Sequence, residues 1–451
     1  MNKTAQHSDQ HEQITPDILR KIAPFSRHRW ARGRQFFRPL RDELLHAPKA
    51  EIRFVPLKIR KLLELSAAFT SPQVTDRIAR RLRQRFRDDL VCSQWVRCMI
   101  YQRRFAVASK WADRFAEENP NDPVAQVVAG DCAMIMGNAP KALEIFKAYL
   151  IRGQDISDAA KRYAANILVE AGEHAWLNTN VPEVAMDSET LSHAERLSPA
   201  RGQTPLYCIS LAQDHRRLAA TEHFLAQSGP FHHVPAVLGS TLPQAARRVL
   251  GAGNTETISA AEFGCSLSHL AAWERIAAEC SPDDYALVCE DDSRFIYGPR
   301  RGLVEITRLA GSQNAGLVFV NRRACSVACD IKDSETIELF PVPEIFADPA
   351  SQTAWRDPGW GGDGYLLNGE TAQRLVDAFA EVKIIGAVDW QLFSLCFDTL
   401  PDWLDQRITR NIYNTLTARG SWPVVPGYLT NLPIMHCRDF GYSSINSSGR
   451  T

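Results

Sequence analysis

What the 451-residue chain lacks narrows its function first. No apolar run approaches the roughly 20 residues needed to cross a bilayer. The opening Met1-Asn2-Lys3-Thr4-Ala5-Gln6-His7 has none of the apolar core of a secretory leader, so export by that route is not expected. Net charge is also missing: 52 basic residues stand against 52 acidic ones, and nothing demands a polyanionic partner. The eleven cysteines lack metal-site spacing, because no second pair or histidine follows the close pair Cys325 and Cys329 as a zinc site requires. Cys208 and Cys289 sit inside apolar runs, where a thiol packs as a small hydrophobe. The expectation is reduced, structural thiols in a cytosolic protein. No Gly-rich, lysine-bearing phosphate loop lies near the first apolar strand of the C-terminal half, which argues against a nucleotidyltransferase. Gly359-Trp360-Gly361-Gly362-Asp363-Gly364 has the spacing of a dinucleotide fingerprint, but it neither follows a clear strand nor opens into a helix. A turn where a ligand approaches the backbone explains those glycines better.

What is present divides the chain, which is too long for one core. Residues 1–56 read as a basic, weakly ordered arm, with Arg27, Arg29, Arg32, Arg34 and Arg38 interleaved with Phe25, Trp30, Phe36 and Phe37. Such a mixture suits a solvated face or peripheral contact with an anionic membrane surface, and nucleic acid least. Residues 57–177 show helical periodicity. Within them Ala108 and Ala142 lie one 34-residue period apart, with Pro120, Gly130 and Phe146 at the terminating, glycine and aromatic positions of a tetratricopeptide-like pair. An unrelated helical bundle is the competing reading. Residues 178–203, rich in Asn, Pro, Ser, Glu and Thr, read as a linker.

From residue 204 to 440 short apolar strands alternate with amphipathic helices, which argues for a mainly parallel α/β sheet; 441–451 form a tail. The stretch around which this half is organised is Tyr285-Ala286-Leu287-Val288-Cys289-Glu290-Asp291-Asp292. A buried strand ending in three acids needs a counter-charge, and a hard divalent cation is the commonest one for clustered carboxylates. Ligands of open α/β sheets bind at the carboxyl ends of strands, where this cluster falls. A solvated acidic turn is the alternative. Ser266 and His269, near a helix start, are not placed to act as a nucleophile and base; a cap or a structural hydrogen bond is expected of them.

These residues, taken in order, resemble a known family. Ile209-Ser210-Leu211 with Arg217, Gly264-Cys265-Ser266-Leu267-Ser268-His269 with Trp273, Glu290-Asp291-Asp292, Trp360-Gly361 with Gly364-Tyr365, and Val388-Asp389 follow the pattern of glycosyltransferase family 25. That family includes bacterial lipooligosaccharide galactosyltransferases and, more distantly, collagen galactosyltransferases. The resemblance covers about half the chain, and the helical region lies outside it. It implies a GT-A-like, Rossmann-like nucleotide-diphospho-sugar transferase fold behind an all-α tetratricopeptide-like domain. It also implies an inverting hexosyl transfer, with galactose the expected sugar, from a UDP-sugar to a glycan, lipid-linked glycan or protein, as in lipopolysaccharide biosynthesis. Mn²⁺ or Mg²⁺ is the implied cofactor, with Asp292 as direct ligand and Glu290 or Asp291 holding ribose or a metal-bound water. Ser210, Leu211, Arg217 and Gly364 would border the donor, Arg217 facing its pyrophosphate or uracil. Inversion needs a general base, for which Asp389 beside Trp390 is the candidate and Asp363 the rival. His436 would complete the metal shell.

The helical region carries no chemistry of its own and is expected to bind a protein partner or the acceptor, or to set position at the inner face of the membrane. A different class of reading is a catalytically inactive transferase-fold scaffold whose helical repeat carries the function. The retained acids argue against it.

Overall fold

The computed structural model describes residues 30–49, 52, 54–86, 88–152, 158–182, 204–226, 228–251, 258–295, 299–332, 336–354, 362–399, 401, 414 and 425–437. Most of the expected arm, linker and tail, and Trp360-Gly361 of the glycine-rich stretch, therefore lie outside the described residues. The chain divides into two compact units, 1–128 and 129–451.

The first unit holds helices α1 (Trp30–His46), α2 (Val55–Phe69), α3 (Pro72–Arg85), α4 (Asp88–Tyr101) and α5 (Phe105–Glu118). Helix α1 falls where the sequence suggested weak order. Its Leu40 and Leu44, one turn apart, are fully buried, and Glu43 pairs with Lys58 of α2 at 2.5 Å. Two apolar residues are too few to register as periodicity, yet they suffice once a neighbouring helix covers them. Asp76 of α3 ties three segments together. It accepts from Trp95 Nε1 at 2.8 Å and, through both oxygens, from the Arg104 guanidinium at 2.9 Å.

Helix α6 (Pro123–Ile135) crosses the boundary between the units, so α7 (Ala139–Arg152), α8 (Asp158–Glu170) and α9 (His174–Asn180) belong with the sheet. The 34-residue repeat read from Ala108 and Ala142 has a backbone counterpart. Arg103, Gly137 and Gly172 each take a positive φ, near 57°, 76° and 77°. Each is followed by a residue whose N–H reaches back to the fifth preceding carbonyl: Arg104 to Met99, Asn138 to Ala133 and Glu173 to Leu168, at 2.8 to 2.9 Å. These are Schellman caps recurring after 34 and then 35 residues. Gly130 faces Phe146 so closely that a Cβ there would stand 2.3 Å from the ring. Its smallness lets α6 and α7 come together.

The second unit is built on a seven-stranded sheet of order β2-β1-β3-β7-β5-β8-β6. The strands are β1 (Leu206–Ser210), β2 (Phe231–Pro235), β3 (Tyr285–Glu290), β5 (Leu317–Phe319), β6 (Leu339–Pro341), β7 (Tyr365–Asn368) and β8 (Gly427–Thr430), and β4 (Ser293–Phe295) pairs separately with β9 (Met435–Cys437). The expected mainly parallel sheet is corrected here. β1–β2, β1–β3 and β5–β8 are parallel, but β3–β7, β5–β7 and β6–β8 are antiparallel, so the sheet is mixed. Strand direction is invisible in composition, because strands buried on both faces are apolar throughout in either sense. Helices α10 (His215–Leu225), α11 (Gln244–Leu250), α12 (Ala260–Glu279), α13 (Pro299–Ser312), α14 (Arg322–Ile331), α15 (Val342–Ala347), α16 (Pro349–Ala354), α17 (Gly369–Val382) and α18 (Val388–Ser394) complete the unit. No helix among the described residues is long and apolar enough to cross a membrane.

Candidate active site

Parallel pairing of β1 with β3, in register from Leu206 opposite Leu287 to Ile209 opposite Glu290, brings both strands to an end at the same edge. Ser210 thereby meets the acids. The Asp291 N–H donates to Ile209 O at 3.0 Å, and Ser210 Oγ donates to Asp291 Oδ2 at 2.8 Å. Arg217, in the first turn of α10 and 4% exposed, pairs with Asp291 Oδ1 and with Asp292 Oδ2, the latter at 2.9 Å. One turn on, Thr221 Oγ1 donates to the Asp291 carbonyl at 2.6 Å. Acids buried side by side need a counter-charge. The chain itself supplies one, Arg217, whose guanidinium is buried against carboxylates.

The antiparallel strand β7 enters from the other side. Its register places Tyr365 opposite Val288, so the preceding Asp363 and Gly364 lie beside the end of β3. Asp363 is buried; its Oδ1 accepts from the Arg323 guanidinium and its Oδ2 has no hydrogen-bond partner. Its carbonyl accepts from Ser293 Oγ at 2.6 Å, and that hydroxyl accepts from the Glu290 N–H at 3.1 Å. Gly364 is packed so tightly on Met435 that a Cβ would stand 2.9 Å from the sulfur.

Between these elements lies a cleft of about 470 Å³. Ser210, Leu211, Arg217, the three acids and Asp389 all line it, so residues spread over 180 positions converge as expected. Asp389 opens α18, and its Oδ1 accepts from the Trp390 N–H at 3.0 Å. Asp363, Gly364 and His436 do not line the cleft. His436 sits on β9, where its Nδ1 is buried and without a hydrogen bond. Potential ligand atoms of Asp363, His436 and Cys437 lie within 4.8 Å of one another, and Asp292 is not in that group.

Sequence reasoning missed Arg323, which reaches the cleft from α14, and gave His269 too small a part. The signal for His269 lay in Gly264-Cys265-Ser266-Leu267-Ser268-His269, whose parts divide into distinct tasks. Of the cap or structural hydrogen bond expected of Ser266 and His269, the cap of α12 falls to Ser259, in a capping box with Glu262, Ser266 Oγ is buried with no hydrogen bond, and His269 makes the structural hydrogen bond. Gly264 lets the helix approach the preceding loop, since a Cβ there would stand 2.5 Å from Val237 O. Ser268 Oγ accepts from the Val237 N–H at 2.8 Å and donates to Gly264 O at 2.6 Å. His269 is fully buried, with Nδ1 2.7 Å from Tyr365 Oη and Nε2 3.5 Å from Glu290 Oε1.

The electrostatics separate the three acids. Burial pushes Asp291 up to about 7 and Asp292 up to about 6; Arg217 opposes both shifts, and repulsion from Asp292 and from Glu290 respectively adds to them. Glu290 ends below its usual value, because His269 and the nearby arginines outweigh its desolvation. Burial and the acids around it push the Cys265 thiol well up, so it is protonated at neutral pH. His436 is lowered by burial and by Arg294, Arg322 and Arg323, which keeps it neutral at neutral pH.

No curated protein matches the chain. Residues 203–391 match the sequence model of glycosyltransferase family 25, described as an LPS biosynthesis protein. The match starts just before β1 and takes in Ser210, Arg217, the three acids and Asp389, but stops short of His436. The segment from β1 to α18, which carries most of the cleft, is therefore similar to family 25 glycosyltransferases.

Proposed function

We propose that the cleft binds a UDP-sugar and a divalent cation, and that the domain is a GT-A-type enzyme transferring a hexose with inversion to a hydroxyl of a glycan, lipid-linked glycan or protein. Galactose is the sugar proposed. The observation that carries this reading is the meeting of three acids from β3, Ser210 from β1 and Asp389 from α18 on one cleft at the carboxyl ends of parallel strands.

The residues fit a cation. Arg217 brings one positive charge to a cluster of three carboxyls, so as Asp291 and Asp292 lose their protons negative charge builds up that Arg217 alone does not balance. The donors are hard oxygens, which suits Mn²⁺ or Mg²⁺. Side-chain exposure sorts their roles: Glu290 and Asp292 are about a quarter exposed to the cleft, at 24% and 27%, while Asp291 is 8% exposed and held by Ser210 and Arg217. Asp292 and Glu290 are thus the residues that would hold the ion, with Asp291 as their support. When bound, the ion would supply positive charge opposite the diphosphate of the leaving group.

The chain's own part in the transfer is positioning and proton removal. Ser210 and Leu211 form the wall on the β1 side of the cleft. Asp389 stands on the same cleft with its carboxyl anchored by one backbone N–H, which supports it as the base that takes the acceptor proton. Asp363 is buried on Arg323 outside the cleft lining, and its placement speaks for a supporting role.

The test is UDP release from UDP-galactose in the presence of Mn²⁺ and candidate acceptors. Release should fall at least about 100-fold in Asp292→Asn and in Asp389→Asn. Wild-type protein that neither binds nor turns over any of a panel of UDP-sugars would leave the scaffold reading in possession.

A further inference from the structure

Behind the acidic edge lies a short chain of polar groups with no contact to solvent. Trp273 of α12 donates through Nε1 to Tyr365 Oη at 2.8 Å, and Tyr365 Oη lies 2.7 Å from His269 Nδ1. All three residues are fully buried. An indole nitrogen only donates, so the Tyr365 oxygen is the acceptor in the first contact. The phenol proton then needs an acceptor of its own, and the second lone pair in reach is that of His269 Nδ1. A neutral imidazole that accepts at Nδ1 carries its proton on Nε2. That Nε2–H has no hydrogen bond within the protein, and it faces Glu290 Oε1 at 3.5 Å, the outer limit of such a bond. Gly362 closes the remaining space, since a Cβ there would stand 2.7 Å from Nε2.

We propose that Trp273 and Tyr365 lock His269 in its Nε2–H tautomer, a fixed donor poised 3.5 Å from the Glu290 carboxylate to orient it on the cleft wall as ligand binds. His269 is then a positioning residue acting through Glu290. The same lock argues against the alternative suggested by its neighbours. Cys265, His269 and Glu290 bring potential ligand atoms within 4.8 Å of one another, but a nitrogen that bears a proton has no lone pair for a metal. The inference rests on the glycosyltransferase reading for what Glu290 is held ready to bind, and on geometry alone for the tautomer.

Long-range ¹H–¹⁵N correlation spectra of the full-length protein with ¹⁵N-labelled histidine read the tautomer directly, with the signal assigned by its loss in His269→Gln. The wild type is expected to show an unprotonated Nδ1 and a protonated Nε2. Tyr365→Phe removes the donor to Nδ1, and the signal should move towards the other tautomer or an averaged position. A wild-type Nδ1–H tautomer or an imidazolium at neutral pH overturns the lock, as does a tautomer that ignores Tyr365→Phe. Should the phenylalanine variant fail to fold, the wild-type spectrum alone still decides. A second arm uses UDP with Mn²⁺ as probe. Its affinity should fall about 10-fold in His269→Ala, the scale for a lost hydrogen bond to a charged group, and less in His269→Gln, which keeps an N–H. Equal affinity in all three proteins overturns the positioning role. Wild-type protein that binds no UDP instead overturns the functional reading, and the spectra still judge the tautomer.

Discussion

Glu290, Asp291 and Asp292 are consecutive in the chain and live in three environments, and their predicted behaviour follows from that difference. A cation held by Asp292 must displace whatever proton that carboxyl holds, and burial pushes Asp292 up to about 6 and its neighbour Asp291 up to about 7. Metal binding should therefore strengthen as pH rises through that window: stabilisation by Mn²⁺ in thermal melts is expected to be larger at about pH 8 than at about pH 5.5. Arg217 offers a complementary test. Its replacement by Gln leaves ionised carboxyls buried together, which should cost about 3 kcal/mol at alkaline pH. The cost should shrink in acid, where those carboxyls are neutral. Denaturant melts at the two pH values would show it, and an effect independent of pH would mean that Arg217 is not their counter-charge. In the first unit Asp76 behaves in the opposite sense. It lies below its usual value because three hydrogen bonds, from Trp95 and Arg104, overcome its desolvation. A depressed acid contributes stability that is present above its unfolded value near 4 and disappears as pH falls through the folded one. Asp76→Asn should cost about 2 kcal/mol at neutral pH, and wild type and variant should converge in acid.

At the scale of elements, sequence spacing was a good guide where one residue type has one physical use. Gly130 and Phe146, read as repeat positions, do meet. The apolar run Leu317 to Val320 contains β5, and the alternation of short apolar strands with helices expected of this half is seen again where β7 runs into α17. Elements that owe their place to distant partners were not legible. The β4–β9 pair joins segments 140 residues apart, and its short strands carry no local pattern. The motif around Gly264 shows the limit most clearly. Its residue types suggested a cap or a structural hydrogen bond, but the demand for glycine comes from the loop at Val237, which only tertiary contact reveals. Gly264→Ala is predicted to cost at least about 2 kcal/mol by forcing α12 off that loop. It should also weaken UDP binding, because Val237 and its hydrogen-bond partner Ser268 both line the cleft. Calorimetric melts with and without UDP and Mn²⁺ would separate the two effects.

On the scale of the whole molecule, the second unit takes in the later helices together with the sheet. Glu170 at the end of α8 is 9% exposed and pairs with Arg294 of β4 at 3.3 Å, two residues beyond Asp292. The turn at Gly137 lies against the backbone of Arg216, next to Arg217, with Arg216 O 3.3 Å from where a Cβ would be. The turn before α7 and the end of α8 therefore support the two segments that carry the acids and their counter-charge. Glu170→Arg should lower stability by about 1 to 3 kcal/mol, and the swapped pair Glu170→Arg with Arg294→Glu should recover part of the loss. No recovery in such a double-mutant cycle would mean that the two side chains are not coupled.

The chain by itself determined the helical character of the stretch after residue 57, the short apolar strands and the acids at the end of one of them, because periodicity and local charge are properties of neighbouring residues. Strand direction, the choice of Arg217 as counter-charge and the contact of Tyr365 with His269 were decided only in three dimensions. Each depends on which of several chemically equivalent partners arrives, and in a close-packed interior that is settled by the packing of the whole unit.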